Sequence, residues 1–94
     1  MLDNMNLDRG AVVFRALGHP VRLGIVRRLD TEGEICACDF TEHFGVSQPT
    51  ISGHLRTLRE AGLVRTRRNG NQICYSLEPG SLDDAMSLLA RTTA

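Results

Sequence analysis

The sequence predicts a mainly α-helical domain with a small β-hairpin, and two observations predict it. The first is residues 47–64, which read as one amphipathic helix. Ser47 is a natural N-cap, because its hydroxyl accepts from an orphan backbone N–H of the first turn. Pro49 falls in that turn, where its missing N–H costs nothing. Ile51, Leu55, Leu58 and Gly62 follow at i, i+4, i+7 and i+11 as a single apolar stripe. The second observation is what comes next. Gly62 is suited to end the helix in the left-handed conformation. Residues 63–67 then read as a strand, Arg68-Asn69-Gly70-Asn71 as a turn, and residues 72–77 as a returning strand. Asn69-Gly70 is a strong hairpin signal, since both residue types tolerate positive φ. Polar helix followed by basic hairpin is the pattern of a winged helix-turn-helix.

The remaining elements read as helices. Residues 8–17 carry Val12, Val13, Phe14, Ala16 and Leu17, apolar on more than one side. Gly18-His19-Pro20 breaks this helix and starts a second, with Pro20 in its first turn and His19 a local cap or packing group. Val21, Ile25, Val26 and Leu29 share one face, and Thr31-Glu32-Gly33 ends the element. A short third helix runs from about Cys36 to Phe44, with Phe40 and Phe44 at i and i+4, and Gly45-Val46 turns the chain into the 47–64 helix. A last helix starts near Ser81, where Ser81 and Asp84 resemble a capping box, and shows Leu82, Ala85, Met86, Leu88 and Leu89. The first and last helices expose more apolar surface than so small a core covers. They are therefore expected to form a homodimer interface.

Ninety-four residues make a single domain, 1–94, with a marginal core of its own. Eleven basic residues, all arginine, balance eleven acids. The balance is uneven. Residues 46–76 hold five arginines against Glu60 alone, a net +4, while residues 1–45 and 77–94 are each −2. A positive segment inside a neutral chain is the footprint of a local anion-binding face. The helix face opposite the apolar stripe carries Gln48, Thr50, Ser52, Thr57 and Arg56, donors and acceptors suited to base edges and phosphates. No apolar run approaches the roughly 20 residues of a membrane span. Met1-Leu2-Asp3-Asn4 lacks the basic and apolar regions of a signal peptide. A cytoplasmic protein without membrane contact is expected. Three cysteines in that compartment point to a metal or redox role sooner than to disulfides. No base lies near them in sequence and no nucleotide-binding loop is present, which argues against an enzyme and against an organic cofactor.

Ala16-Leu17-Gly18-His19-Pro20-Val21-Arg22-Leu23-Gly24-Ile25, Ser47-Gln48-Pro49-Thr50-Ile51-Ser52, Leu58-Arg59-Glu60-Ala61-Gly62-Leu63-Val64 and Ile73-Cys74-Tyr75-Ser76-Leu77 together resemble the ArsR/SmtB repressors. The resemblance covers roughly residues 10–90. It implies a homodimeric winged helix-turn-helix repressor on an inverted-repeat operator, with two recognition helices in successive major grooves about 34 Å apart. Gln48, Thr50, Ser52 and Gly53 are then expected to face bases, beside Pro49 in the same first turn. Ser47, His54 and Arg56 should lie near phosphates, and Arg67, Arg68 and Asn69 on the wing should reach flanking DNA. Gly53 departs from the family, many members having a larger polar residue there.

Glu34-Ile35-Cys36-Ala37-Cys38-Asp39-Phe40 resembles the Cys-x-Cys-Asp segment of arsenic-, cadmium- and lead-responsive members. Soft thiolates select thiophilic ions over Mg²⁺ or Ca²⁺. Cys36 and Cys38 are the expected metal ligands, with As(III) or Sb(III) as inducer. The alternatives are Cd(II) or Pb(II), or a thiol redox sensor without metal. Residues i and i+2 do not share a helix face, so one ion held by both would distort the first turn of the third helix. Thr41 stands where arsenic-type members often have a third cysteine, and residues 1–10 hold none. Cys74, alternating with Ile73 and Tyr75, is expected to point outward and to be structural. His43 lies about two turns from Cys36, too far to share an ion. The last helix lacks the histidine pairs of zinc-, cobalt- and nickel-sensing members.

Overall fold

The computed structural model describes residues 6–90, apart from the side chains of Glu42 and His43. The expectations placed on residues 1–4 and on His43 lie outside that part. Five helices and three strands follow in the order α1 (Leu7–Leu17), α2 (Pro20–Glu32), β1 (Ile35–Cys36), α3 (Ala37–Phe44), α4 (Gln48–Glu60), β2 (Val64–Asn69), β3 (Gln72–Leu77) and α5 (Ser81–Ser87). This is the expected winged helix-turn-helix arrangement, mainly helical with a small antiparallel sheet.

Caps set most helix boundaries. The Asn6 side chain accepts from the Arg9 amide, and His19 Nδ1 accepts from the Val21 amide at 3.1 Å, with Pro20 just inside α2. Ser47 accepts from the Thr50 amide and donates its own hydroxyl to Thr50 Oγ1 at 2.9 Å, which fixes the entry of α4. Gly62, at φ +82°, ends α4 in the left-handed conformation expected of it. Ser81 differs from its expected capping role. Gly80 is the N-cap of α5, and Ser81 sits inside the helix donating to the Glu78 carbonyl at 2.8 Å.

The sheet holds one strand more than the hairpin alone. Its order is β1-β3-β2, with Ile35 opposite Tyr75 and Cys36 opposite Cys74. The hairpin pairs Val64 with Leu77 through to Asn69 with Gln72, leaving Gly70 and Asn71 as a two-residue turn. Of these two, Gly70 alone has positive φ (+64°), as a turn with glycine at its first central position requires. Asn69, expected in the turn, is the last paired residue of β2.

One core runs under all of this. Val13 and Ala16 of α1, Ile25, Val26 and Leu29 of α2, Phe40 of α3, the Ile51, Leu55 and Leu58 stripe of α4, Leu63, Val64 and Ala85 are all buried together. Phe40 meets Tyr75 edge-on with ring centroids 6.0 Å apart, joining α3 to the sheet. The outer sides of α1 and the C-terminal region behave differently: Leu7 is 77% exposed, Met86 60% and Leu89 69%. So the first and last helices cover part of their apolar surface within one chain and leave part open. Among the described residues no helix is long and apolar enough to cross a membrane.

Two helix-interior glycines make a matched test of this packing. A Cβ at Gly24 in α2 would lie 2.9 Å from Cε1 of Phe44, whereas one at Gly53 in α4 would meet nothing within 4 Å. Alanine recovers about 1 kcal/mol of helix propensity at either position. At Gly24 the ring must give way, at a typical cost of about 1–3 kcal/mol. Gly53→Ala is expected to raise the urea midpoint and Gly24→Ala to lower it. Equal shifts of one sign would refute the close seat of Phe44 on α2.

Candidate nucleic-acid interface and thiol site

Helix α4 buries Ile51, Leu55 and Leu58 and presents Ser47, Gln48, Pro49, Thr50, Ser52, Gly53 and Arg56 to solvent as one polar surface. All seven belong to the expected DNA-facing set. His54 does not join them. It is half-buried against α2, with Nδ1 3.3 Å from Arg22 Nη1 and its ring 4.4 Å from that of His19. Burial, then the neighbouring His19 and Arg22, hold its pKa below the usual histidine value. Arg22 also donates from Nε to the Ala16 carbonyl at 2.6 Å. His54 thus ties α4 to the start of α2 and is only partly exposed beside the seven.

The wing carries three exposed arginines, Arg65, Arg67 and Arg68. Arg67 has a partner that sequence reasoning missed. Its Nε and Nη2 donate to Glu34 Oε2 and Oε1 at 2.9 and 2.8 Å, a bidentate pair. The guanidinium holds the Glu34 carboxyl below the usual carboxylate range, and Glu34 holds Arg67 above the usual arginine value. The available signal was an acid two residues ahead of Cys36. Arg68 and Asn69 are exposed toward the tip, and Arg68 makes no ion pair among the described residues.

The three cysteines depart most from expectation. Cys36 lies on β1 in extended conformation, just before α3, so it is outside the helix that was to hold both metal ligands. Cys74 is fully buried, and it forms a disulfide with Cys36. Both the outward orientation of Cys74 and the expectation against disulfides are thereby corrected. The cause is β1: it makes β3 the central strand, so that consecutive β3 residues are covered, Cys74 fully and Tyr75 in part. Cys38 is free and exposed in the first turn of α3, and its Sγ lies 3.3 Å from Gln72 Oε1 of β3. Residues directly opposite on antiparallel strands project to the same face. Cys36, Cys74 and Arg67 therefore form a row across the sheet, with Gln72 on the same face of β3.

Residues 19–66 match the family described as bacterial regulatory protein, arsR family. The arsenical resistance operon repressor of Staphylococcus xylosus is 45% identical over 79 residues, 84% of this chain and 75% of that protein. The chain belongs to the ArsR family. The arsenical resistance operon repressor of Staphylococcus aureus is 42% identical over 85 residues, 90% of this chain and 81% of its own. The structure of HlyU from Vibrio cholerae N16961 superposes with a TM-score of 0.78 over 92% of each chain, at 28% identity. As an ArsR-family member this chain is a DNA-binding transcriptional repressor and not an enzyme. The exposed face of α4 and the basic wing are the parts of the ArsR fold described above that suit that role.

Proposed function

We propose that two copies of this chain hold inverted-repeat operator DNA in the cytoplasm and release it when As(III) or Sb(III) binds Cys36 and Cys38. The observation that most supports this is that Cys36 belongs to the wing's own sheet while Cys38 opens the helix that leads into α4. An ion drawing the two sulfurs together acts on both DNA-binding elements at once. Glu34, two residues before Cys36, carries the displacement to Arg67. Thiol donors fit a thiophilic metalloid. Cys36 serves as a donor only once its bond to Cys74 is reduced, so the reduced protein is the responsive one. Both Staphylococcus relatives are repressors of arsenical resistance operons, which favours As(III) or Sb(III) over Cd(II) or Pb(II). For the dimer, the open apolar residues Leu7 and Val12 of α1, Met86 of α5 and Leu89 supply the surface.

Reduced protein on a fluorescently labelled operator duplex, titrated in parallel with As(III), Sb(III), Cd(II), Pb(II) and peroxide, tests this reading. Release by As(III) and Sb(III) is expected. Release by Cd(II) and Pb(II) alone, or by peroxide alone, would move the inducer to another class. On the DNA side, Arg68→Ala should weaken binding to every sequence alike and reduce the salt slope by about one. A changed base preference in that variant would overturn the backbone role of the wing.

A further inference from the structure

We infer that Cys74 is the third sulfur of the inducer site, so that a trivalent arsenical is held by Cys36, Cys38 and Cys74 across β1, α3 and β3. The inference rests on the reading of Cys36 and Cys38 as inducer ligands. Two of the three sulfurs are already in contact, since Cys36 and Cys74 face each other in register and are bonded. The third, on Cys38, lies beside Gln72, which shares its strand face with Cys74 two residues away, a spacing of about 6.8 Å. Cys38 is exposed and its contacts are weak sulfur hydrogen bonds to Gln72 and Asp39, so a rotamer change brings it toward the pair. Thr41, one turn further along α3, donates its hydroxyl to the Cys38 carbonyl and offers no soft atom. Among the described residues no three His, Cys, Asp or Glu side chains already converge on one point, so the site forms only when the bond is reduced and Cys38 turns from Gln72 toward the freed pair.

The chemistry balances in two steps. A dithiol or phosphine reductant adds two electrons, and with two protons the Cys36–Cys74 bond becomes two thiols. Arsenous acid, As(OH)₃, then exchanges its three hydroxides for three thiolates, and each displaced hydroxide leaves as water with one thiol proton. The oxidised chain lacks two of the three sulfurs and is insensitive to the inducer. Closing the ring of sulfurs also pulls on β3 directly opposite Arg67, the wing arginine that Glu34 holds.

The test is X-ray absorption at the arsenic edge on phosphine-reduced protein loaded with one equivalent of As(III), with no exogenous thiol. Three As–S contacts are expected in the wild type. Cys74→Ala, which keeps a small apolar side chain in the core, should show two, with oxygen as the third neighbour. Its As(III) affinity should fall by at least about 10-fold, the cost of losing even an outer-shell partner, and a cooperative unfolding transition verifies the fold of the variant. Three sulfurs in Cys74→Ala, or two in the wild type with unchanged affinity in the variant, would overturn the assignment and leave the Cys36–Cys38 reading standing. A reduced wild type that takes up no As(III) would overturn both. An oxidised wild type that binds As(III) as tightly as the reduced one would likewise overturn both, since Cys36 and Cys74 are bonded to each other in it.

Discussion

Replacing Leu55 by alanine is expected to remove a large part of the stability of this domain and, with it, operator binding. Leu55 is 1% exposed in the middle of the α4 stripe, between Ile51 and Leu58, which are equally enclosed. A buried Leu→Ala change typically costs about 2–5 kcal/mol, as lost transfer energy plus a cavity that the neighbours only partly fill. Whole domains hold only about 5–15 kcal/mol, and a chain this short falls toward the lower end. With a urea dependence of about 1–3 kcal/mol per molar, the unfolding midpoint should drop by about 1 M or more. Ser52→Ala, on the exposed face of the same helix, should stay within about 0.5 kcal/mol of the wild type. If the two variants unfolded at the same midpoint, the division of α4 into a core face and a solvent face would be wrong.

Cys38→Ser should leave operator affinity near that of the wild type and abolish its release by As(III). The thiol is exposed, and serine keeps a donor for Gln72 at similar size, so α3 has no reason to move. What is lost is the soft donor. Allosteric couplings of this kind are typically about 1–3 kcal/mol, a 5- to 150-fold change in operator affinity. The wild-type ratio of affinities without and with saturating As(III) should lie in that range and collapse toward one in the variant. Cys36→Ser should behave likewise after reduction of the wild-type control. Full release in Cys38→Ser, measured by anisotropy at fixed salt, would remove Cys38 from the inducer site.

What could be read from the sequence, and what could not, divides by range. The entry of α4 at Ser47 and Pro49, its apolar stripe, its end at Gly62 and the hairpin after it are all specified by residues within one or two turns of one another. His19 as a cap is equally local. Strand β1 was missed because two residues, Ile35 and Cys36, carry no periodicity; their pairing exists only through β3, some forty positions away. The inward turn of Cys74 follows from that same pairing and was misread along with it. Ser81 resembled a cap by type and spacing, but Gly80 before it supplies the left-handed backbone and displaces the helix start by one residue. The exposed row of α4 was legible because it needed only the helix period. The inward turn of His54 toward Arg22 and the pairing of Glu34 with Arg67 were not, since both join elements distant in the chain.

The brevity of β1 has a kinetic consequence. Once the Cys36–Cys74 bond is reduced, a strand of two residues leaves the sheet by local opening, at a free energy far below that of global unfolding, while α4 and the hairpin remain intact. The sulfur of Cys74, sealed in the closed state, is reached by solutes only in those brief openings. Arrival of a ligand is then timed by the fraying of β1, and not by diffusion to an open pocket. Amide exchange at Ile35 and Cys36 of the reduced protein would report this clock directly, running faster than exchange in the paired β2 and β3 backbone on either side of the hairpin turn.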